Sequence, residues 1–545
     1  MMSESIALLR AFSLRGLVAA LIVLGGVESA AAAGLTLAWD RSAPGTVSGY
    51  MLVFGQSAGS RSQSIRVNPT VSRFRVENLN PGTRYYFVVQ AIGTGGQISA
   101  PSAEVNGVAS DALPAAPTGS AQTYYAEGAA GFFDYRVAVL NTSSSETWMN
   151  VSFLREGATP LVRSYSVGAG SRMTISAADV AGLTGTSFAA VISAPPTVVT
   201  ERTMRWRLNG ADGATGARAL SAPSTTWYLA EGNAGFFDTY VLLANPSTTP
   251  TVATVDFLLD GGGVVRRQYA LAGNARYTIW TNQIPELVTR SFATTVTAPV
   301  PILVERAMYF NGPHGAFEGG HASAAVPTGA RSWFLAEGST GAFFETFVLI
   351  SNPNASAVTA TIRYLTPGGV ARTEVRTLPA TSRTTIPVDS LPGLGSTDVS
   401  CSITATGNII VERSMYWPGV PGPWYGASNS VGITTLRTRW GLAEGEVGGA
   451  DGASTYVLLA NPGTTAANAT LTFYREAGSP IVVTRSVPAG SRQTVAASSV
   501  GLGGGEKFGV VVDSSQPIAV ERSLYWNYLG GLWTSGTNET GTPLN

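Results

Sequence analysis

Few residues in this chain could do chemistry, and the search starts with them. The two histidines, His314 and His321, lie in one glycine-rich stretch, and the single cysteine is Cys401. Neither histidine has the neighbours of a zinc site, and neither sits beside a nucleophile elbow. No phosphate loop or dinucleotide fingerprint occurs, and no EF-hand or nonapeptide calcium pattern. What does recur is charge. Each of four copies carries a glutamate in Ala-Glu-Gly (Glu127, Glu231, Glu337, Glu444), an arginine in a later Glu-Arg pair (Arg202, Arg306, Arg413, Arg522), and a second arginine (Arg172, Arg276, Arg383, Arg492). Charged residues make up only 12% of the chain, against roughly 25% in an ordinary soluble domain, so recurrence at fixed columns needs a cause. On a strand, adjacent side chains face opposite ways: Arg306 shares a face with Met308 and Phe310, and Glu305 shares one with Tyr309. An arginine on an apolar face needs a carboxylate. An internal ion pair is therefore expected, Arg306 with Glu231 or Asp238 and its counterparts in the other copies. A glycan or metal site built from the same groups is the alternative.

Aromatic residues raise a second possibility. Trp227, Trp333 and Trp440 open three of the copies, where they suit a core, a contact between modules, or a platform for sugar rings. Trp424, Tyr425 and Trp533 lie in loops and are the better candidates for exposed ligand contacts.

The elements that position these groups follow from the repeat. The Ala-Glu-Gly glutamates recur about every 105 residues, a period that gives each copy room for its own core. In the second copy, strands are expected over 225–230, 238–244, 253–259, 264–271, 275–280, 292–297 and 302–310, with Gly261-Gly262-Gly263 as a turn and Asn245-Pro246 as a stop. Strands at this spacing indicate an all-β tandem array of immunoglobulin-like and fibronectin-like sandwiches. The expected units are 34–110, a linker at 111–122, and repeats at 123–223, 224–330, 331–437 and 438–545, strung in a semi-rigid row. Two copies depart from the pattern. Copy one has Arg205-Trp206 where the others have Tyr309-Phe310, Tyr416-Trp417 and Tyr525-Trp526. Copy four replaces Phe132-Phe133-Asp134 and its counterparts with the glycine-rich Gly448 to Gly452.

Residues 35–110 resemble a fibronectin type III domain. The resemblance rests on Leu35 to Asp40 around Trp39, on Gly49 to Phe54, on Leu79-Asn80-Pro81-Gly82-Thr83-Arg84-Tyr85 through Ala91, and on Ser99-Ala100-Pro101-Ser102. It implies a seven-stranded sandwich used as a spacer or binding module. Residues 124–545 resemble an uncharacterised repeat module of exported bacterial proteins, carried by Ala-Glu-Gly, Asn-Pro and Glu-Arg-x-Met-Tyr-Trp. That resemblance implies architecture and export but no activity.

Residues 1–33 read as a secretory signal: Arg10 and Arg15, then the apolar run from Gly16, then Ala31-Ala32-Ala33 as the cleavage site. No later segment is apolar enough to span a membrane. One cysteine leaves no intramolecular disulfide, so each core must hold through burial, and an exported chain of this kind points to a bacterium. Positive and negative residues balance at 34 each, which gives no basic field for nucleic acid. The chain is therefore expected to be an exported, non-enzymatic structural and adhesive protein with no cofactor, displayed at the cell surface or in the matrix. Its expected partner is a protein or a glycan. A carbohydrate-binding protein or an accessory subunit of an extracellular enzyme is the alternative.

Overall fold

The structure, a computed structural model, describes residues 22–24 (backbone only), 33–42, 46–110, 117–155, 158–312, 314–418 and 424–544. Ile22–Leu24 and Ala33 fall inside the proposed signal; the rest of the signal and residues 111–116, half of the linker, lie outside the described residues.

The first unit packs two sheets. One holds Ile22–Leu24, Leu35–Ala38 and Arg73–Val76; the other holds Gln63–Val67, Val47–Gly55, Arg84–Gly93 and Val105–Val108. Tyr85, Phe87, Val89 and Ala91 all point into the core with Trp39 and Leu52, as their period of two requires. The Tyr85 hydroxyl accepts the Asn80 amide (3.1 Å) and pins the turn in front of its own strand.

Each repeat is a two-sheet sandwich around its own apolar interior. In module 2 one sheet runs Val264–Leu271, Thr251–Leu259, the first half of Phe292–Gly312, and Ser224–Leu229. The other runs Ala275–Trp280, Phe237–Asn245, the second half of Phe292–Gly312, and Gly315–Ala324. The long strand thus serves both sheets, turning the corner at Pro299 and Pro301 where no amide is available for a ladder. Trp227, Trp333 and Trp440 lie in their modules' cores, their indole N–H groups donating to the carbonyls of Ile302, Ile409 and Ile518. The Asn of each Asn-Pro or Asn-Thr step is buried but satisfied: Asn245 donates to the carbonyls of Thr249 and Ala272 and accepts the Ser247 amide.

Two expectations change. The first concerns a strand that the sequence did not suggest. The long strand of every module folds back on a second one (Ala211–Arg218, Gly315–Ala324, Gly426–Val431, Gly531–Thr540) rich in Gly, Ala, Ser, Thr and Asn, most of them residues with little strand propensity. The second concerns arrangement. The modules do not form a row. Each of these small-residue strands lies against the next, and the fourth lies against the first, so the four modules close into a ring. Thr215, His321, Ser428 and Thr537 occupy one register position opposite Met204, Met308, Met415 and Leu524, and all four line the axis. The composition follows from this convergence. A Cβ on Gly216 would stand 3.0 Å from both Glu539 and Thr537 of module 4. One on Gly213 would meet the Trp206 ring that lies across it at 2.0 Å.

The fibronectin-like unit docks on the outer sheet of module 1. Ser72 donates through its amide and hydroxyl to Glu146 (2.8 and 2.6 Å), and Arg163 donates to Asn78 (3.2 Å). Replacing Glu146 by alanine removes the acceptor for Ser72 and for Ser166. It is expected to free the unit without unfolding it, read as faster proteolysis within residues 111–120 at an unchanged ring melting temperature.

Candidate functional site at the module seams

The recurring charges sit where modules meet. The long strand presents its arginine toward the following module and its glutamate toward the preceding one. Arg202 donates to Glu305 (2.7 Å), Arg306 to Glu412 (2.7 Å) and Arg413 to Glu521 (2.5 Å), and Arg522 donates to Glu201 (2.8 Å), returning to module 1. The second oxygen of each glutamate accepts a backbone amide of the preceding module's Ala-Glu-Gly segment: Ala126 (2.8 Å), Ala230 (2.6 Å), Ala336 (2.7 Å) and Ala443 (2.7 Å). None of these eight charged residues is more than 1% exposed. Burial raises the Glu201 and Glu305 carboxyls against the pull of Arg522 and Arg202.

The Ala-Glu-Gly glutamates complete the arrangement. Contact within the module is present in module 1, Arg202 to Glu127 (2.9 Å), and in module 2, Arg306 to Glu231 (3.2 Å). In module 3, Arg413 reaches the backbone carbonyl of Glu337 (3.0 Å), whose carboxylate accepts from Ser523 of module 4. In module 4, Glu444 pairs with Arg172 of module 1 (2.8 Å), and Arg522 turns to Glu201. Asp238 takes no arginine; it accepts from Trp280 and Asn282. Sequence reasoning missed Glu201, Glu305, Glu412 and Glu521. The run Ile302-Leu303-Val304 before Glu305 held the signal, since an unbroken apolar run marks a strand covered on both faces. A charge on the second face then needs a partner outside its own sandwich.

Burial works against the Glu231 carboxylate, but His321, Arg306 and Arg383 more than offset it and hold its pKa below the usual range. Burial pulls the His321 imidazole down to about 4, so at neutral pH the arginines carry that balance. His321 lies 3.5 Å from Glu231 and 3.2 Å from the Tyr416 hydroxyl. Burial likewise pushes the Cys401 thiol up to about 12 and leaves it unreactive. Among the described residues no group of His, Cys, Asp and Glu is arranged to hold a metal ion.

Aromatic rings plug the outer end of three seams. Phe317, Trp424 and Trp533 stand at the turns of the closing hairpins and reach back onto the preceding module's Phe-Phe pair. Trp424 stacks on Tyr416 at 4.2 Å, and Trp533 on Tyr525 at 4.8 Å. Both tryptophans and Tyr425 are half-buried, so the structure places these candidate ligand contacts in the seams and not on free loops. Replacing Trp533 by alanine is expected to cost about 2 kcal/mol, below the 3–5 of a fully buried aromatic because one edge is already wet. A chemical-denaturation midpoint checks this.

An open cleft of ≈ 470 Å³ lies beside the seam between modules 4 and 1. Its walls include Phe132, Arg136, Arg205, Arg207 and Asp451. Asp451 accepts from Arg205 (2.8 Å) and Arg207 (2.7 Å), and Arg136 pairs with Asp134 (2.7 Å). Phe132 is 47% exposed, with its ring against Phe133 and Phe317 on one side.

Comparison with known proteins agrees with this architecture at the N-terminus. The fibronectin type III domain family matches residues 26–108. No curated protein matches the chain. Among solved structures, a two-domain fibronectin type III segment of chicken tenascin is similar at 16% identity, over 37% of this chain and 97% of that one, with a TM-score of 0.14. The central fibronectin-III array of RIM-binding protein gives 14%, 57%, 97% and 0.13. A tetra-tandem repeat from the extending region of a large adhesion protein gives 10%, 94%, 95% and 0.11. Identities this low speak to fold alone, and TM-scores this low carry no functional argument. The first unit thus matches the fibronectin type III domain family, and four repeated β-sandwich modules follow it.

Proposed function

We propose that this chain is an exported, non-enzymatic structural and adhesive protein, in which the closed ring is a rigid platform and the docked fibronectin type III domain and outer sheets present contacts to a surface protein or glycan. One observation carries the reading: the recurring glutamates and arginines, the groups best able to do chemistry, are buried in the seams and bonded to one another. A platform needs its parts held at fixed separations, and four sealed seams supply that. No helix among the described residues is long and apolar enough to cross a membrane. The proposed export rests on the leader-like residues 1–33, with Arg10 and Arg15 ahead of an apolar run and Ala31-Ala32-Ala33. Fractionation of the producing cell, with N-terminal sequencing of the exported chain, tests the export half. A mature chain starting near Gly34 and recovered from the envelope with a bound partner is the expected result. Hydrolase activity in the purified chain would overturn the non-enzymatic half.

The cleft favours one second reading, carbohydrate binding. Paired Arg and Asp groups leave donors and acceptors for neighbouring hydroxyls, and the exposed Phe132 ring suits a pyranose face. If it holds, Phe132→Ala should lower retention on a glycan array at least ten-fold, measured at a temperature where the variant stays folded, since Phe132 also packs on Phe317 (5.8 Å) and its loss lowers the melting temperature somewhat. Equal retention by the variant removes the cleft from consideration.

A further inference from the structure

The two departures from the repeat meet at one place. At three seams the pattern is constant. A tyrosine of the following module (Tyr309, Tyr416, Tyr525) packs beside a second aromatic of its own module (Tyr240, Phe347, Tyr456) at 6.0, 5.8 and 6.2 Å. A hairpin-turn aromatic then covers the preceding Phe-Phe pair. Phe317 and Trp533 take positive φ (59° and 51°) to do so. Their amides are held by the side chains of Asn311 and Asn527.

At the seam between modules 4 and 1 every one of these parts is changed, on both sides. Module 1 carries Arg136 and Arg205 at the two aromatic positions and Arg207 at the asparagine position. Its closing hairpin pairs Trp206 with Gly213, an interval of seven residues, against nine for Phe310–Gly319, Trp417–Gly426 and Trp526–Ser535. The two residues it lacks are those that form the plug. Module 4 has no Phe-Phe pair, and its glycine-rich insertion brings Asp451 to the same spot. The new parts fit each other. Asp451 receives Arg205 and Arg207; Arg205 lies 4.4 Å over Trp526 and Arg207 4.5 Å over Tyr528. Asp212 of module 1 accepts from Thr534 (3.1 Å) and Ser535 (2.7 Å) of module 4.

We infer that these two faces form a charge-keyed lock: the leading face of module 4 fits module 1 of the same chain and none of the aromatic seams, so the ring closes at four modules within one polypeptide. A head-to-tail interface between equivalent units could close, extend or exchange with a second copy. An Arg205-type face set against a Phe-Phe pair would leave two arginines, Arg205 and Arg207, to share Asp212 alone, and a Tyr-type face set against Asp451 would leave that carboxylate without an arginine. The key thus selects the partner, while the buried Arg522–Glu201 pair, shared in kind with every seam, does not.

Charge reversal on the full chain tests this. Asp451→Arg sets three arginines against Asp212 alone, and Arg207→Asp sets three carboxylates against Arg205 alone. Each single variant is expected to lose at least nine-tenths of the compact single-chain species in size-exclusion chromatography with light scattering, in favour of concentration-dependent assemblies. The double variant Asp451→Arg with Arg207→Asp rebuilds the pair and should return the single-chain mass and wild-type radius. Circular dichroism of the single variants must retain the strand signal. Single variants that stay compact and monomeric overturn the inference, as does a double variant no better than either single. Equimolar mixing of the two single variants should give a discrete two-chain species, module 4 of one locking onto module 1 of the other. Separate behaviour on mixing counts against the lock.

Discussion

Replacing Arg413 by methionine is expected to destabilise the ring by about 3–5 kcal/mol, the cost of leaving a buried charge without its partner. Arg413 bonds Glu521 (2.5 Å), the Glu337 carbonyl (3.0 Å) and Ser430 (2.8 Å). Glu521 is wholly enclosed, so water does not reach it when the guanidinium is gone. The side chain that replaces it fills the volume of the stem but supplies no donors. The exposed pair Arg266–Asp256 is the control: cutting it should cost under about 1 kcal/mol, although its geometry is as good. Combining Arg413→Met with Glu521→Leu should cost less than the sum of the single changes, because the second removes the orphaned charge. It does not reach wild type, since the Ala336 amide loses its acceptor. Urea midpoints of the wild type, the two single seam variants, the double variant and the control variant, followed by tryptophan fluorescence, read all three comparisons. Additive losses would mean that the pair is not coupled across the seam.

This result bears on what the sequence could show. The sandwiches were legible because their strands follow a period of two: Ala253, Val255 and Phe257 lie inward and Thr254 and Asp256 outward, and pleated geometry leaves no other arrangement. The partnership of Glu231 with Arg306 was legible for the same reason, since a charge on an apolar face demands an opposite one. The ring was not legible. Its axis is built from strands such as Gly315–Ala324, whose glycines, alanines and serines carry no β signal, because close approach of four hairpins selects for size and not for propensity. The loop tryptophans were misplaced for a related cause. A tryptophan at a hairpin turn is exposed in an isolated module and covered only when the preceding module supplies Phe343 and Phe344. Contacts between copies leave no period within a copy. Their trace is the matched departure of copies one and four, which becomes informative once the two are known to touch.

The axis also sets the response to pH. His321 is expected to make the ring acid-sensitive, and Glu539 to make it alkali-sensitive. His321 is surrounded by Glu231, Arg306 and Tyr416, and burial lowers it from 6.5 to about 4. Between those values the unfolded chain holds a proton that the ring does not, so stability falls as pH drops, by roughly 1.4 kcal/mol per unit and about 3 in all. Glu539 lies on the corresponding strand of module 4, near Glu201, Arg522, Arg202 and Arg218, and burial with the Glu201 charge raises it from 4.5 to about 8. Here the ring holds the proton and the unfolded chain does not, so stability is full below pH 4.5 and is lost as pH rises through 8. In the overlap, pH 4.5 to 6.5, the two slopes oppose each other and largely cancel. His321→Thr, which installs the residue found at the same position in modules 1 and 4, removes only the acid arm. Its stability relative to wild type should improve steadily as pH falls from 6.5 to 4 and be constant above 7. Glu539→Gln removes only the alkaline arm, and its relative gain should appear between pH 4.5 and 8. Differences in unfolding free energy, measured at half-unit steps from pH 4 to 9, separate the two. A pH-independent difference for His321→Thr would show that the imidazole titrates alike in the folded and unfolded chain, and would remove it from the ring's charge balance.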